Sequence, residues 1–466
     1  MAILKRNVDM GAGSVAGSLW QLALPSMFSM LFHTLFHLVD TVFVSWLGEF
    51  SLAAMSLTFP LVFVIFALVN GMAVGATTRM SNSLGKGRRG EAREYADAAL
   101  VLVLVLSTPV LPLLFRQSSN AFFSLLGGSG EVLVESHRYA FWMVLATPLM
   151  SFSLVADSIF RSQGDTVTPM KSMILGNGIN VLLDPLLIFT FGWGIAGASI
   201  ATFIGRLASC LYLWSRLKER SAIIPAVTWR PDYLGRWISI GSIGLPVAVS
   251  QGSMAVAGAM LNKILSGYGP AAIGAFMLGN RVETFVFLPV FGFNSALIPF
   301  IGYNIGKGDY PRIREALRVV LLSSTVMIGA IGTMVYMWPH LVLALFKPSA
   351  QVMDMAVSSI RASATAYLFA AADISFWGVF QGSGYPVYGM IAQVMRTLAV
   401  RIPAAAILSR SFGLSGVWWC QPISAFISFL LSTYFIFKVM DKIRVAMEPS
   451  SENGEVQRRE RSTETR

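Results

Sequence analysis

Charged residues, cysteine and histidine are all scarce in this chain of 466 residues. Asp, Glu, Lys and Arg make up 13% of it and hydrophobic residues 55%, whereas charged residues are about 25% of an ordinary soluble domain. This composition excludes a soluble globular domain. The two cysteines, Cys210 and Cys420, fall in apolar stretches without metal-ligand spacing, so we expect packing roles and no disulfide framework.

Motifs typical of enzymes are also lacking. The chain has no HExxH zinc-protease motif, no GxSxG nucleophile elbow and no Walker phosphate loop. Residues 1–16 are polar and glycine-rich, without the apolar region and cleavage site of a secretory signal peptide. We therefore predict that the chain is not an enzyme and that its first apolar segment stays as a membrane anchor.

What the chain does have is a series of long apolar stretches. A helix needs about 20 residues to cross a hydrocarbon core about 30 Å thick, and stretches of roughly this length or longer recur along nearly the whole chain. They predict an all-α polytopic membrane protein with about twelve transmembrane helices, near residues 16–47, 52–82, 93–115, 132–160, 167–191, 194–216, 236–266, 271–304, 313–338, 351–381, 386–410 and 413–440.

The chain also repeats itself. The connector Leu84–Gly87 returns 221 positions later as Ile305–Gly308, and Leu24-Pro25 returns at the same offset as Leu245-Pro246. Gly71 pairs likewise with Gly292, and the Gly194, Gly197 pair returns with nearly the same spacing as Gly413 and Gly416. Duplicated apolar halves are typical of transporters in which two bundles rock about a central cavity. We predict two homologous six-helix lobes around such a cavity, comprising residues 1–220 and 221–445.

The net charge of +11 indicates membrane orientation and not nucleic-acid binding. The basic residues are concentrated in alternate loops beside the predicted spans, and such loops face the cytoplasm. They are Lys5, Arg6, Lys86, Arg88, Arg89, Arg93, Arg161, Lys171, Arg216, Lys218, Arg220, Arg230, Arg236, Lys438, Lys442 and Arg444. Both termini are predicted to be cytoplasmic, and residues 446–466 are predicted to form a disordered polar tail.

Two carboxylates are predicted to lie within the bilayer, where a charged group costs at least a few kcal/mol and usually has a function. Asp40 and Asp184 each precede a glycine at the end of an outward-running span by eight residues, so both lie about 12 Å below the outer surface. Asn180 is one turn from Asp184, and Thr202 reaches a similar depth on the returning helix. These four residues predict a site for a proton or a small cation. The alternative is that Asp184 caps a kink at Pro185 and that Asp40 lies near the headgroups.

Two further pairs of residues are singled out, two histidines for tuning this site and two prolines for helix bending. His33 and His37 lie four residues apart before Asp40, and we expect them to adjust the protonation of Asp40 or to bond within the bundle. Their spacing resembles that of metal ligands, but no other Cys or His cluster completes a site of four. Pro25 and Pro246 remove backbone donors from the first and seventh spans and predispose these helices to bend.

The second half of the chain carries a different set of intramembrane charges. The repeat offset takes Asp40 to Leu261, and no acid stands near the counterpart of Asp184. Compensating ion pairs are the favoured interpretation of the charges that are present, and a polar cavity that contacts substrate is the alternative. These residues are Arg281, Glu283, Asp373, Arg396 and Arg401.

Taken together, these segments resemble the multidrug and toxin extrusion (MATE) family, with closest similarity to its DinF-like prokaryotic branch. The resemblance covers about residues 15–440 and rests on the following segments: Leu24-Pro25, Asp40 before Ser45–Gly48, Gly85–Gly87, Phe160–Asp165, and Asn180 through Asp184-Pro185 to Gly197-Ala198. In that branch the ion-coupling acids lie on the first and fifth helices, with the asparagine and threonine neighbours that Asn180 and Thr202 match. Another branch has an essential glutamate in the seventh helix, and Ser250–Met254 here contains no acid.

The resemblance implies a V-shaped pair of lobes that exports amphipathic, often cationic compounds in exchange for H⁺ or Na⁺. It implies no cofactor beyond the coupling ion, and a small-molecule substrate with the lipid bilayer as the only other partner. We expect a functional monomer in the inner membrane of a prokaryote. The alternatives are a lipid-linked sugar flippase of the same broader fold group, which would need Arg281, Arg396 and Arg401 in one basic chamber, and a channel or non-transporting receptor.

Overall fold

A computed structural model describes residues 7–226 and 230–448 of the chain, and all regular structure in these ranges is helical. Lys5, Arg6 and residues 449–466 of the predicted tail lie outside the described residues. The first half contains α1 (Val15–Ser45), α2 (Glu49–Gly85), α3 (Arg89–Leu106), α4 (Arg116–Leu125), α5 (Gly130–Ser162), α6 (Val167–Pro185) and α7 (Gly194–Arg220). A 3₁₀ turn (Thr108–Leu114) follows α3, and a π turn (Leu186–Thr190) follows α6.

The second half repeats this order. It contains α8 (Tyr233–Ser266), α9 (Pro270–Lys307), α10 (Tyr310–Met337), α11 (Pro339–Ala344), α12 (Ala350–Ala364), α13 (Tyr367–Gly382), α14 (Pro386–Val394) and α15 (Arg401–Met447). A π turn, Met395–Val400, joins α14 to α15.

Ten helical segments in the described part are long and apolar enough to cross a membrane. The predicted tenth span is built from two shorter helices, α12 and α13. The predicted eleventh and twelfth spans run together as residues 386–447, with a break at Gly413, whose backbone is not helical (φ 60°, ψ −143°). The third predicted span ends as a 3₁₀ turn, because Pro109 and Pro112 cannot donate helical hydrogen bonds. With these corrections to the boundaries, the twelve-span interpretation holds.

The duplication is visible in the backbone as well as in the sequence. Four pairs of glycines at equivalent positions all have positive φ, a conformation that glycine adopts without steric cost. Gly48 (103°) and Gly269 (90°) precede the second helix of each half, and the other pairs are Gly87 (73°) with Gly308 (79°), Gly164 (81°) with Gly384 (80°), and Gly194 (54°) with Gly413 (60°). The two halves therefore turn their chains in the same way at the same places.

Glycines also allow the two halves to approach each other closely. On α2, a methyl group added at Gly75 would overlap the carbonyl oxygen of Ile240 on α8. One added at Gly85 would overlap the carbonyl oxygen of Tyr303 on α9. Backbone contact of this kind is how membrane helices gain dispersion energy without a hydrophobic driving force.

Inter-half hydrogen bonds among the described residues are concentrated toward one side of the bundle, where α2 and α9 end at Gly85 and Lys307. They include Arg79 Nε to the Ser239 carbonyl (3.3 Å) and Asn82 Nδ2 to the Gly302 carbonyl (3.4 Å). The first half of α1 joins the second half of the chain on this side, since Leu19 and Leu22 share a buried core with α9. The bundle is thus closed at the side predicted to be cytoplasmic.

Candidate functional site

The candidate site lies where α1, α6 and α7 meet. Gly176 on α6 and Gly205 on α7 face each other, and a methyl group on either would collide with the backbone of the other helix. This close approach brings the side chains one turn further along both helices, Asn180 and Thr202, within hydrogen-bonding distance. The upper half of α1 packs against α6 and carries Asp40 into the same region.

The four residues that the sequence singled out as an ion site are brought together. Asn180 Nδ2 lies 3.3 Å from Asp184 Oδ1 and 3.3 Å from Thr202 Oγ1, and donates to both oxygens. The Asp40 and Asp184 carboxyl groups lie next to each other. Asp184 is fully buried, and Asp40 is 9% exposed. Asp184 is therefore not isolated beside Pro185, since Asn180 and Asp40 both adjoin it.

One oxygen of the pair lacks a donor. Asp184 Oδ2 is buried and has no hydrogen-bond partner among the described residues, although the Asp40 carboxyl group lies beside it. Two ionised carboxylates side by side repel each other strongly in a medium of low dielectric constant. The pair therefore requires a shared proton or a bound cation to be stable in this position.

A small cavity adjoins the pair. Its volume is about 30 Å³, and Asp40, Asn177, Asn180, Thr202 and Arg206 are among its lining residues. A water molecule needs about 10–15 Å³ measured in this way, so there is space for roughly two. Carboxylate, amide and hydroxyl oxygens are ligands of hard cations, and the cavity has the size for one small ion or for a short water chain to the acids.

The two histidines lie next to this cavity without forming a metal site. Their rings are 4.5 Å apart in an edge-to-face arrangement, and His37 lines the cavity. His33 Nδ1 is buried without a hydrogen-bond partner in the described part of the chain. Within residues 7–226 and 230–448, no three His, Cys, Asp or Glu side chains are grouped so that they could hold a metal ion.

Sequence reasoning missed several residues near the site. Asn177 and Arg206 line the cavity, and Tyr139 of α5 is within electrostatic range of both acids. Asp157 of α5 is within electrostatic range of Arg206 and Arg161. The rule that drew attention to Asp40, that an intramembrane charge has a function, applies equally to Asp157 and Arg206. Asn177 and Tyr139 carry no such signal.

These missed charges extend the site toward the second half of the chain. Arg206 lines the small cavity, and Asp157 is within electrostatic range of both Arg206 and Arg161. Arg161 donates hydrogen bonds from Nη1 to Ser26 on α1 (3.3 Å) and to Ser295 on α9. Arg161 thus connects this group of charges to the wall between the two halves.

The charged residues of the second half do not form a single chamber. Asp373 is fully buried and accepts from Ser428 (2.8 Å), Ser432 (2.5 Å) and Arg396 (3.5 Å). This is the compensating ion pair that the sequence favoured. Arg281 lies elsewhere, on a cavity of about 190 Å³ between α1 and α9 that Thr34 and His37 also line.

Glu283 and Arg401 line a third, much smaller cavity inside the second half. Glu283 accepts a hydrogen bond from Gln421 (3.2 Å) and lies in the field of Arg401. The repeat offset places Leu261 and Arg401, both on this cavity, at the positions of Asp40 and Asn180. An apolar side chain therefore stands where the first half has a carboxylate, and a guanidinium where it has an amide. The basic chamber expected for a pyrophosphate-binding flippase is not formed by Arg281, Arg396 and Arg401.

The two prolines predicted to bend helices both lie inside long helices, Pro25 in α1 and Pro246 in α8. Pro25 lies between the segment of α1 that holds Leu19 and Leu22 and the segment that carries Asp40. Below it, Leu19 and Leu22 pack in the core shared with α9, and above it Asp40 faces α6 and α7.

A membrane bundle of two repeated halves, with a polar site buried in one of them, defines an integral membrane transporter. The family model MatE matches the chain twice, over residues 25–186 and 246–407. The chain belongs to this family, the MATE transporters. The predictions of the family, of the twelve-helix two-lobe fold and of a transporter that is not an enzyme are confirmed.

Individual relatives and structures agree with this assignment. A protein named FAD transporter from Shewanella oneidensis is 28% identical, over 91% of this chain and 95% of its own length. The multidrug export protein MepA of Staphylococcus saprophyticus is 25% identical, over 93% and 96%.

Among solved structures, an outward-facing multidrug resistance MATE transporter of the MOP superfamily superposes with a TM-score of 0.87, at 25% identity. A MOP superfamily transporter from Pyrococcus furiosus, described as having a binding pocket of reverse polarity, superposes with a TM-score of 0.86, also at 25% identity. Each match covers 94% of this chain and 99% of the other.

Proposed function

We propose that this MATE protein exports amphipathic organic molecules in exchange for H⁺ or Na⁺ bound at Asp40 and Asp184. The observation that carries the proposal is the buried pair of carboxyl groups, with Asp184 Oδ2 lacking a protein donor. Asn180 and Thr202 complete the set of oxygens beside the cavity. This location of the acids in the first lobe, together with an acid-free Ser250–Met254, supports placement in the DinF-like branch.

The proposed cycle is alternating access between two lobes, residues 1–220 and 221–445. Closure at the Gly85 and Lys307 side supports an outward-facing state, in which an ion reaches the acids from outside. Ion binding neutralises the carboxyl pair and changes the packing of α1 on α6. Because α1 also packs on α9 below Pro25, this change is passed to the second lobe, and a bend at Pro25 or Pro246 accommodates it.

The ion gradient supplies enough free energy for this cycle. A membrane potential of 100 mV contributes about 2.3 kcal/mol per charge, and each tenfold concentration ratio contributes about 1.4 kcal/mol. Inward movement of one or two ions therefore drives modest uphill export. We place the protein in the inner membrane of a prokaryote with both termini cytoplasmic, and we expect it to act as a monomer, because one chain contains both lobes.

Names of relatives support export of organic molecules without fixing the cargo, since one is a FAD transporter and another a multidrug export protein. The separation of Arg281 from Arg396 and Arg401 favours this function over a lipid-linked sugar flippase. A channel or a receptor would show no counter-transport.

The test uses purified protein in liposomes with a proton or a sodium gradient imposed separately, and follows accumulation of fluorescent compounds. We expect accumulation with at least one gradient, and its loss in Asp40→Asn and Asp184→Asn. Asp354→Asn, which neutralises an exposed carboxylate on α12, is the matched control and should transport normally. Unchanged transport by both site variants would refute the assignment of the coupling site, and gradient-independent flux would indicate a channel.

A further inference from the structure

A second cavity lies between the two halves and is separate from the ion site. Its volume is about 270 Å³, and α1, α2, α8, α9, α13 and α14 all contribute to its wall. Four primary amides line it: Asn70, Gln251, Asn294 and Gln381. We call it the amide cavity. No charged side chain is among its lining residues.

Most of the hydrogen-bonding groups on this wall have no protein partner. Asn294 Nδ2 donates to the Ile374 carbonyl at 2.7 Å. The side-chain amides of Asn70, Gln251 and Gln381 make no hydrogen bond to another described residue. Trp377 Nε1, also on the wall, is buried and without a partner in the described ranges. A buried polar group without a hydrogen bond costs about 1–3 kcal/mol, so Trp377 Nε1 requires water or a ligand. The amides of Asn70, Gln251 and Gln381 are partly exposed and free to bond a ligand in the cavity.

The rest of the wall is apolar, polarisable and partly aromatic. Met30, Met254 and Met390 line it together with Phe291 and Trp377. Methionine side chains adapt to the outline of a ligand and make favourable contacts with aromatic rings, and aromatic side chains stack on flat ring systems. The wall therefore suits a flat, unsaturated ring system whose edge carries both donors and acceptors, because each amide offers one of each.

The buried carboxylates of the second half, which could attract a cation, do not line the amide cavity. Asp373 is bonded to Arg396 and two serines, and Glu283 lies beside Arg401 in its own small cavity. Among charged groups, Arg161 is hydrogen-bonded to the wall of the amide cavity: its guanidinium donates to Ser295. A cation entering this cavity would lose hydration and meet no opposite charge, which is unfavourable.

We infer that the amide cavity binds uncharged planar heterocycles that carry amide or imide edges. This inference rests on the proposed export function and narrows its cargo, since the family resemblance implies cationic compounds. The ring system stacks against Trp377 and the methionines, and its edge exchanges hydrogen bonds with Gln251 and Gln381. Selection against cations follows from the lack of a carboxylate on the wall.

The experiment compares two fluorescent three-ring probes of similar size, neutral lumichrome with an imide edge and cationic proflavine. Each is titrated against the purified full-length protein in nanodiscs, and binding is followed by fluorescence anisotropy. We expect lumichrome to bind at least tenfold more tightly than proflavine. Gln251→Leu and Gln381→Leu should each weaken lumichrome binding about fivefold, the equivalent of one net hydrogen bond of about 1 kcal/mol. Gln117→Leu, at an exposed position on α4, is the control and should have no effect.

Gln251→Asn retains an amide and should recover part of the affinity, which separates loss of a hydrogen bond from loss of folding. Equal or tighter binding of proflavine, no binding of either probe, or full lumichrome affinity in both leucine variants would overturn the inference. The transport assay separates this failure from failure of the proposed function. Gradient-driven accumulation of cations alone would refute the cavity assignment and leave antiport standing, whereas no gradient-driven accumulation of any probe would refute antiport itself.

Discussion

Replacing Gly75 with alanine should open the bundle at the side where α2 and α9 end. Gly75 faces the backbone of α8, and a new methyl group there would overlap the Ile240 carbonyl oxygen. Backbone atoms cannot move aside as a flexible side chain does, so the two helices must separate locally. Because this contact joins the two halves, the separation acts on the equilibrium between the closed and open states of that side.

The magnitude follows from the cost of overpacking. Inserting one methyl group into a tightly packed contact costs about 1–3 kcal/mol. This cost applies only to the state closed at this side. Since 1.4 kcal/mol corresponds to a tenfold change in an equilibrium constant, the ratio of open to closed molecules should rise by about 5-fold to 150-fold.

Gly241→Ala is the matched control. Gly241 also lies in a transmembrane helix, α8, close to the same contact, but a methyl group there meets no atom within 4 Å. Both substitutions add the same gain in helix propensity, about 0.5–1 kcal/mol, so the difference between the variants isolates the steric term.

The assay measures the distance between the halves with spin labels. Arg89→Cys and Glu315→Cys place labels at exposed positions beside the repeated connectors, in a background with Cys210→Ala and Cys420→Ala. We expect a population with longer distances in Gly75→Ala and none beyond the parent in Gly241→Ala. Identical distance distributions in the two variants would show that the glycine contact does not hold this side closed.

Three further predictions concern individual contacts. Asn180→Leu removes both hydrogen bonds that this amide donates at the candidate site; because its bond to Asp184 stabilises the ionised carboxylate by about 1.5–3 kcal/mol, the half-saturating proton concentration in proteoliposome transport should fall at least tenfold, and an unchanged value would contradict the role of the amide. Asp373→Ala leaves Arg396 buried without its partner, which costs about 3–5 kcal/mol, so the melting temperature in detergent should fall well below that of Asp373→Leu combined with Arg396→Met; equal stabilities would argue against the ion pair. Arg312→Ala removes the hydrogen bonds from its guanidinium to three backbone carbonyls before α1 and should speed amide hydrogen exchange over residues 8–14, whereas Arg314→Ala, which makes no such bond in the described structure, should leave the exchange rates unchanged.

The sequence determined the class of the protein and the number of spans, and it indicated four residues that the fold brings together. The length of a hydrophobic stretch and the offset of a repeat are properties of the linear sequence, so they can be read without knowing the tertiary structure. The common depth of Asp40 and Asp184 could be derived because rise per residue along a helix is fixed. Asn180 and Thr202 followed from the same arithmetic, and the fold brings all four together.

The tertiary structure decided which side chains of neighbouring helices lie beside these four residues. Spacing along a helix gives the height of a side chain but not which neighbouring helix it faces, because rotation and crossing angle depend on packing. For this reason Tyr139 and Asn177 were not found near the acids, and Arg281 could not be separated in advance from Arg396 and Arg401. The amide cavity is the clearest case: uncharged side chains from six helices form it, none is unusual by itself in a membrane helix, and only their convergence gives them a common role.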